Sequence, residues 1–180
     1  HYIIKDPVSV VDVINLLYSG NVVEQKITIV EGWNKNDIAE YLSQTIDGFN
    51  NDNFLSLVDS QNLEGYLFPD TYNIPYGYSE EDIIKVMLDN FNSKITEEMR
   101  RDMADKSLFE IITMASIIEK EVRSPEDMAL VSGILWKRIE YGTPLQSCAT
   151  IVYITGKKSV QVSTEETKIE SPYNTYINRG

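Results

Sequence analysis

Helix starts are marked in this chain at fixed places, and those marks constrain its fold more than any other feature. Ser79 stands three residues before Asp82, Ser107 before Glu110, and Ser124 before Asp127 with Pro125 between them. At such a start the serine hydroxyl accepts a backbone N–H of the first turn. The acidic side chain three residues on reaches back to the serine amide, so donors that a helix start leaves unpaired are satisfied. Proline suits the first helical position, where its missing N–H is no loss. The marks predict helices over 80–93, 108–122 and 126–140, a shorter one after Thr96, and an end to the third at Gly142.

The first half reads differently. Residues 2–5 predict a strand, 8–17 a helix that Gly20 ends, and 25–30 a second strand. Asn34 with Asp37 caps a further helix whose buried face is Ile38, Ala39, Tyr41 and Leu42, which makes a βαβα unit of residues 1–45. A helix is predicted over 50–61. The run Glu64-Gly65-Tyr66-Leu67-Phe68-Pro69-Asp70-Thr71-Tyr72 is apolar and aromatic but broken by Gly and Pro, so it predicts a fixed loop with a short strand. Beyond Gly142, Ile151-Val152-Tyr153-Ile154 fits a strand or a short helix. A Lys-rich turn, Val160-Gln161-Val162 and a Tyr-, Asn- and Pro-rich tail from Ser171 follow. The fold class is α+β, with helices dominating the second half.

Composition narrows the chemistry. Apolar residues at 42% and charged residues at 24% fit a packed core rather than disorder. Twenty-eight acidic against sixteen basic side chains give a net charge of −12, which repels phosphate backbones and anionic membrane surfaces, so nucleic acid is not an expected partner. Cys148 is the single cysteine and His1 the single histidine. Neither an internal disulfide nor a Cys/His metal site can be built from them, and no cofactor or metal is expected. Ser-His-Asp and Cys-His catalysis are out unless the terminal His1 is tied back into a site, which leaves carboxylates to carry the acid-base work. No apolar run approaches the ~20 residues that span a bilayer. The abrupt opening His1-Tyr2-Ile3-Ile4 reads as the trimmed start of a longer protein whose anchor or signal is left out.

One carboxylate stands out. Within 108–122, Ile111, Ile112, Met114, Ala115, Ile117 and Ile118 place apolar surface around almost the whole helix, which reads as buried. Glu119 follows at the end of that run and is expected to be partly desolvated, the setting of a general acid that acts on a glycosidic oxygen. Glu121 lies about 200° further round the helix and reads as a structural partner. The residues alone equally allow Glu119 to be a helix-end carboxylate paired with Arg123 at i+4. Tyr66, Phe68, Tyr72, Tyr76 and Tyr78 offer the flat amphipathic faces that hold sugars, or a loop that covers core. Gln146, Ser147 and Thr150 sit on a turn where binding groups are often presented, or simply satisfy that turn.

Several of these segments, in this order, resemble one family. Glu31-Gly32-Trp33 before the capped helix is similar to the LysM-like module of the MltG or YceG-like endolytic murein transglycosylases. The Glu64 to Tyr72 run, Met114-Ala115-Ser116-Ile117-Ile118-Glu119-Lys120-Glu121, Arg138 through Ser147, and Ser171-Pro172-Tyr173-Asn174-Thr175-Tyr176 resemble that family's further motifs, so the likeness covers essentially the whole chain.

The resemblance implies a LysM-like module at 1–45 followed by a lysozyme-like, mainly helical catalytic domain with a short sheet at 46–180. It implies cleavage of the MurNAc-GlcNAc β-1,4 bond of peptidoglycan strands to leave 1,6-anhydroMurNAc ends, with Glu119 as general acid and base. Substrate contacts implied with it are Glu64, Tyr66, Asp70, Thr71, Tyr72, Ser116, Gln146, Ser147, Thr150, Tyr153, Tyr173, Asn174 and Tyr176. It also implies action at the extracytoplasmic face of a bacterial membrane through an anchor absent from this chain, with peptidoglycan synthases as companions. The alternative is a non-catalytic peptidoglycan-binding module. Cys148-Ala149 stands where the family has Asp-Pro after Gln-Ser, and the family continues beyond the point where this chain stops.

Overall fold

Two strands alone cannot stabilise themselves in water, so the antiparallel pair in this chain needs a helical cover. The computed structural model describes residues 9–19, 23–157, 159 and 161–179. Strand β1 (Glu24–Thr28) pairs with β2 (Thr71–Pro75), Ile27 lying opposite Tyr72 and Thr28 opposite Thr71. Alternation sends Ile27, Tyr72 and Ile74 to one face, where all three are buried. The expected strand at 25–30 is therefore present slightly earlier, and its partner comes from the end of the aromatic run. Those expected at 2–5, and Gly20 and Val160, lie outside the described residues.

The helices are α1 (Val10–Ser19), α2 (Lys35–Thr45), α3 (Asn51–Ser60), α4 (Glu80–Lys94), α5 (Glu97–Asp102), α6 (Leu108–Glu121), α7 (Pro125–Glu140) and α8 (Cys148–Thr155), with a 3₁₀ turn at Glu166–Lys168. Their starts follow the marks. Asn34, Ser79 and Ser107 form reciprocal capping boxes with Asp37, Asp82 and Glu110, and Ser124 accepts the Asp127 amide ahead of Pro125. The end of α7 is a Schellman turn: Gly142, at φ +61°, donates to the Ile139 carbonyl, and Thr143 to that of Arg138. The segment that fitted strand or helix at 151–154 is helical, within α8. Mainly helical with one small antiparallel sheet, the described chain is α+β.

Two compact units divide the chain, His1–Met99 and Arg100–Gly180. In the first, Ile38, Ala39 and Leu42 of α2, Phe54 and Val58 of α3, and Ile83, Ile84 and Met87 of α4 close over the buried face of the sheet. Elements of residues 1–45 thus share one core with elements of 46–99. Tyr41, expected in the buried face, is only half-buried because its ring packs on Trp33 at 5.2 Å and its hydroxyl accepts the Thr28 amide at 3.1 Å.

In the second unit Met114, Ile117 and Ile118 of α6 meet Leu135 of α7 and Leu145. Helix α6 was expected to be buried nearly all round. It instead buries one face: Ile111 and Ile112 are half-buried and Ala115 exposed, because α7 and α8 cover only the Met114, Ile117 and Ile118 side.

Asn174 closes the tail of this unit. Wholly buried, it donates from its amide nitrogen to the carbonyls of Thr167 at 3.1 Å and Ile169 at 2.7 Å, and accepts the Tyr176 amide at 2.9 Å.

Two substitutions probe these cores. Phe54→Ala removes a wholly buried ring and should destabilise the first unit by about 3–5 kcal/mol in urea unfolding; a loss below about 1 kcal/mol would mean the core does not depend on it. Asn174→Ala strands two partly buried carbonyls and one amide, and should lower the stability of the second unit by about 1–3 kcal/mol, read from the thermal transition.

Candidate active site

Glu119 lies in the last turn of α6 and is exposed, its side chain making no hydrogen bond or ion pair among the described residues. Both readings of it from the residues are corrected. The carboxyl is not desolvated by its neighbours, since the α6 face that carries it is uncovered, and it is not paired with Arg123. The nearest upstream candidate, Ser116, is also exposed and spends its hydroxyl on the Thr113 carbonyl at 2.8 Å, one turn back along its own helix.

The fold treats Glu121 differently. Its carboxylate accepts the hydroxyl of Ser147, the buried N-cap of α8. That same hydroxyl oxygen accepts the Ala149 amide at 3.2 Å, while the Ser147 amide donates to the Thr175 hydroxyl at 3.1 Å. Thr150 donates its proton to the Ser147 carbonyl at 2.9 Å, so in the 3.0 Å contact between the Thr150 and Thr175 hydroxyls Thr175 is the donor. The Gln146 amide adds a bond to the Thr175 carbonyl at 2.9 Å. Four segments meet here: the end of α6, the 143–147 turn, the start of α8 and the tail. Thr175 is the residue that the sequence reading left out, although it lies between Asn174 and Tyr176 in the motif.

Around this node stand the other candidates of the second unit. Tyr176 points its hydroxyl at Cys148 Sγ, 3.1 Å away. The bond to Cys148, with burial and the charges of Cys148 and Glu121, pushes the Tyr176 phenol up to about 12. Tyr153 and Tyr173 meet edge to face, ring centres 5.4 Å apart, and remain 44% and 60% exposed. Asn174 spends its amide within the chain, holding the tail from beneath. Beside the node, a groove of about 250 Å³ runs between the end of α6, helix α7 and the 143–147 turn, with Glu121, Arg138, Gln146 and Ser147 on its walls.

The remaining candidates belong to the first unit, where they hold the 64–72 loop. Glu64 lies 3.8 Å from the Lys35 ammonium, which also pairs with Asp59. Tyr66 stands edge-on to Phe91 at 5.2 Å. Asp70 accepts the Asn90 amide at 3.0 Å and the Thr71 backbone amide at 2.7 Å, and with Lys94 nearby these hold its carboxyl below the usual carboxylate range. Tyr72 is buried, donates to the Phe68 carbonyl and accepts from Asn90, and burial raises its phenol. Thr71 is exposed, with its hydroxyl 3.0 Å from that of Thr28. Among the described residues no cluster of His, Cys, Asp or Glu side chains is placed to hold a metal, and no helix is long and apolar enough to cross a membrane.

A pH prediction follows from Tyr176. A phenol whose folded value lies above its unfolded value near 10 contributes stability that is fully present below pH ~10 and is lost as pH rises towards about 12. In an alkaline titration of tyrosinate absorbance, Tyr176→Phe should remove a late-ionising component; an unchanged late phase would assign it elsewhere.

Comparison with known proteins gives the family of the chain. The model of the YceG-like family matches residues 1–180. The chain is 40% identical over 123 residues to the endolytic murein transglycosylase of Bacillus subtilis strain 168, a match covering 66% of this chain and 33% of that protein. It is 38% identical over 125 residues to the endolytic murein transglycosylase of Streptococcus pneumoniae D39, with 66% and 22% covered. The crystal structure of a yceG-like protein from Listeria monocytogenes superposes with a TM-score of 0.77 at 25% identity, over 93% of this chain and 64% of that one. The match thus spans a third or less of the length of the curated relatives. Matched along its whole length, this chain belongs to the YceG-like family.

Proposed function

We propose that this chain carries the catalytic part of an endolytic murein transglycosylase, with Glu119 as its general acid and base. The observation that carries the reading is the contrast between two carboxylates two residues apart. Glu121 is committed to Ser147, whereas Glu119 is exposed and uncommitted at the end of the helix whose sequence resembles the family's catalytic segment. The names of the Bacillus and pneumococcal relatives support the reaction class.

As an acid, Glu119 protonates the oxygen between N-acetylmuramic acid and N-acetylglucosamine, and the C1–O bond breaks. As a base, it then takes the proton of the muramic C6 hydroxyl as that oxygen bonds to C1, which leaves a 1,6-anhydro end. The nucleophile is part of the substrate, so the second carboxylate that an ordinary glycosidase needs to activate water or attack C1 is dispensable. A strand lying over the exposed end of α6 displaces water from it, the condition under which a carboxylic acid serves as a proton donor near neutral pH.

The exposed Tyr153 and Tyr173 rings offer stacking faces for the sugars of such a strand. Gln146, Ser147, Thr150 and Tyr176, which form or adjoin the node at the end of α6, are strand contacts of the second unit in this reading, and Glu64, Tyr66, Asp70, Thr71 and Tyr72 of the 64–72 loop are strand contacts of the first. Within this reading residues 1–45 carry the LysM-like element and 46–180 the lysozyme-like catalytic part. The whole protein acts at the extracytoplasmic face of the membrane, through an anchor outside this chain and alongside peptidoglycan synthases.

Un-crosslinked glycan strands incubated with the chain should yield products ending in 1,6-anhydromuramic acid by mass spectrometry, and Glu119→Gln should abolish them while strand binding persists. Turnover retained in that variant would remove Glu119 from the chemistry. Glu121→Gln weakens a charge-assisted bond and should lower stability by on the order of 1 kcal/mol while leaving cleavage measurable. Strand binding without any cleavage by the unaltered chain would instead favour a non-catalytic binding module.

A further inference from the structure

We infer that the outward face of α7 is a self-association surface, on which a second copy of this chain lays its own α7 antiparallel. The helix has two sides. Leu135 is buried in the core of the second unit, with Met128, Val131, Trp136 and Ile139 packed against that core. On the other side Glu126, Ala129, Leu130, Gly133, Ile134 and Lys137 are all exposed. At about 100° per residue these six fall within roughly 140° of arc. A helix face turned to water is ordinarily polar. The middle four residues of this one carry no polar side chain, and Leu130 is 65% and Ile134 47% exposed.

Charge selects a second copy as the occupant. Glu126 stands in the first turn of this face and Lys137 in its last, and neither makes an ion pair among the described residues. When a second α7 is reversed against the first so that Glu126 meets the partner's Lys137, the twofold axis passes between positions 131 and 132. Lys137 then meets the partner's Glu126, which is the reciprocity of an isologous contact. Arg123, just ahead of the N-cap Ser124, and Glu140, the last residue of the helix, carry opposite charges at matching distances beyond these two, so the same reversal brings them together as well.

Shape selects the same arrangement. In that register Leu130 lies over the partner's Gly133 and Ile134 over the partner's Ala129, so each large apolar side chain meets a small one. Gly133 is the informative residue. Glycine weakens a helix interior relative to alanine, and a Cβ at this position would meet nothing within 4 Å, so packing within the chain does not call for it. The close approach of a second helix does. A partner of another kind has no reason to mirror the order of charges and of large and small side chains along this face.

The face is short. From Glu126 to Lys137 it runs about 17 Å, and one helix face of that length covers less than the ~800 Å² per partner of a standard interface. The association is therefore weak and depends on concentration. Each copy carries a net charge of −12, so it also needs salt. Near 0.15 M the Debye length of about 8 Å screens the overall repulsion, while the charge pairs meet at closer range.

Sedimentation equilibrium of the chain in about 0.15 M salt, from about 10 µM to about 1 mM protein, should show a monomer–dimer equilibrium. Lys137→Glu or Glu126→Lys alone sets like charges opposite each other and should weaken the dimer by about tenfold or more, and the two together should restore it. Gly133→Gln fills the seat of the partner's Leu130 and should abolish the dimer. The melting temperature of the dilute monomer should rise in that variant, because glutamine is the better helix former, and this separates lost association from lost folding. A monomer at every concentration would overturn the inference. So would a dimer that survives Gly133→Gln or either single charge reversal, or a double reversal no tighter than the single ones in a chain of unchanged melting temperature.

Discussion

Ser147 is the residue on which the second unit turns. Its hydroxyl gives its only proton to Glu121 and still accepts the Ala149 amide in the first turn of α8, so one oxygen links the end of one helix to the start of another. Its amide and carbonyl are taken by Thr175 and Thr150. Buried polar groups are costly unless satisfied, and in this node each hydroxyl has a donor and an acceptor role assigned. A polar network that closes on itself in this way has one arrangement, and it fixes where α6 stops relative to the 143–147 turn. The groove and the position of Gln146 are consequences of that arrangement.

The same network explains why two similar carboxylates have different fates. Glu119 and Glu121 face directions about 200° apart on α6. One direction meets Ser147; the other meets nothing from α7 or α8. Sequence periodicity could tell the two faces apart, and it assigned Glu121 its structural role. It failed on the surroundings of Glu119, because apolar residues all round a helix predict burial only if something covers every face, and the packing of α7 and α8 covers one.

In the first unit the aromatic loop shows a related limit. A run of Gly, Pro and aromatic residues was legible as a fixed loop, and Asp70, Tyr72 and Tyr66 do fix it. Their partners are Asn90, Phe91, Lys94 and the Phe68 carbonyl. Asn90, Phe91 and Lys94 come from α4, some 20 positions along the chain, and no local pattern names them. Residues selected as sugar contacts are in part the clamps that keep the loop in shape, which preorganises whatever the loop presents.

What the sequence alone determined is local in its physics. Serine and asparagine caps, the proline at the start of α7, the glycine that ends it and the apolar spacing within each helix depend on neighbours three or four residues away, so seven helix positions from α2 through α8 could be read directly or as one of two choices. The shortage of histidine and cysteine left carboxylates as the available acids and bases, whatever the fold. Only the tertiary structure decided that β1 pairs with β2, that Thr175 ties the tail to the 143–147 turn, and that Glu119 stays uncovered while Glu121 is held. Each of these depends on contacts between residues dozens of positions apart, and such contacts leave no periodic trace in a single sequence.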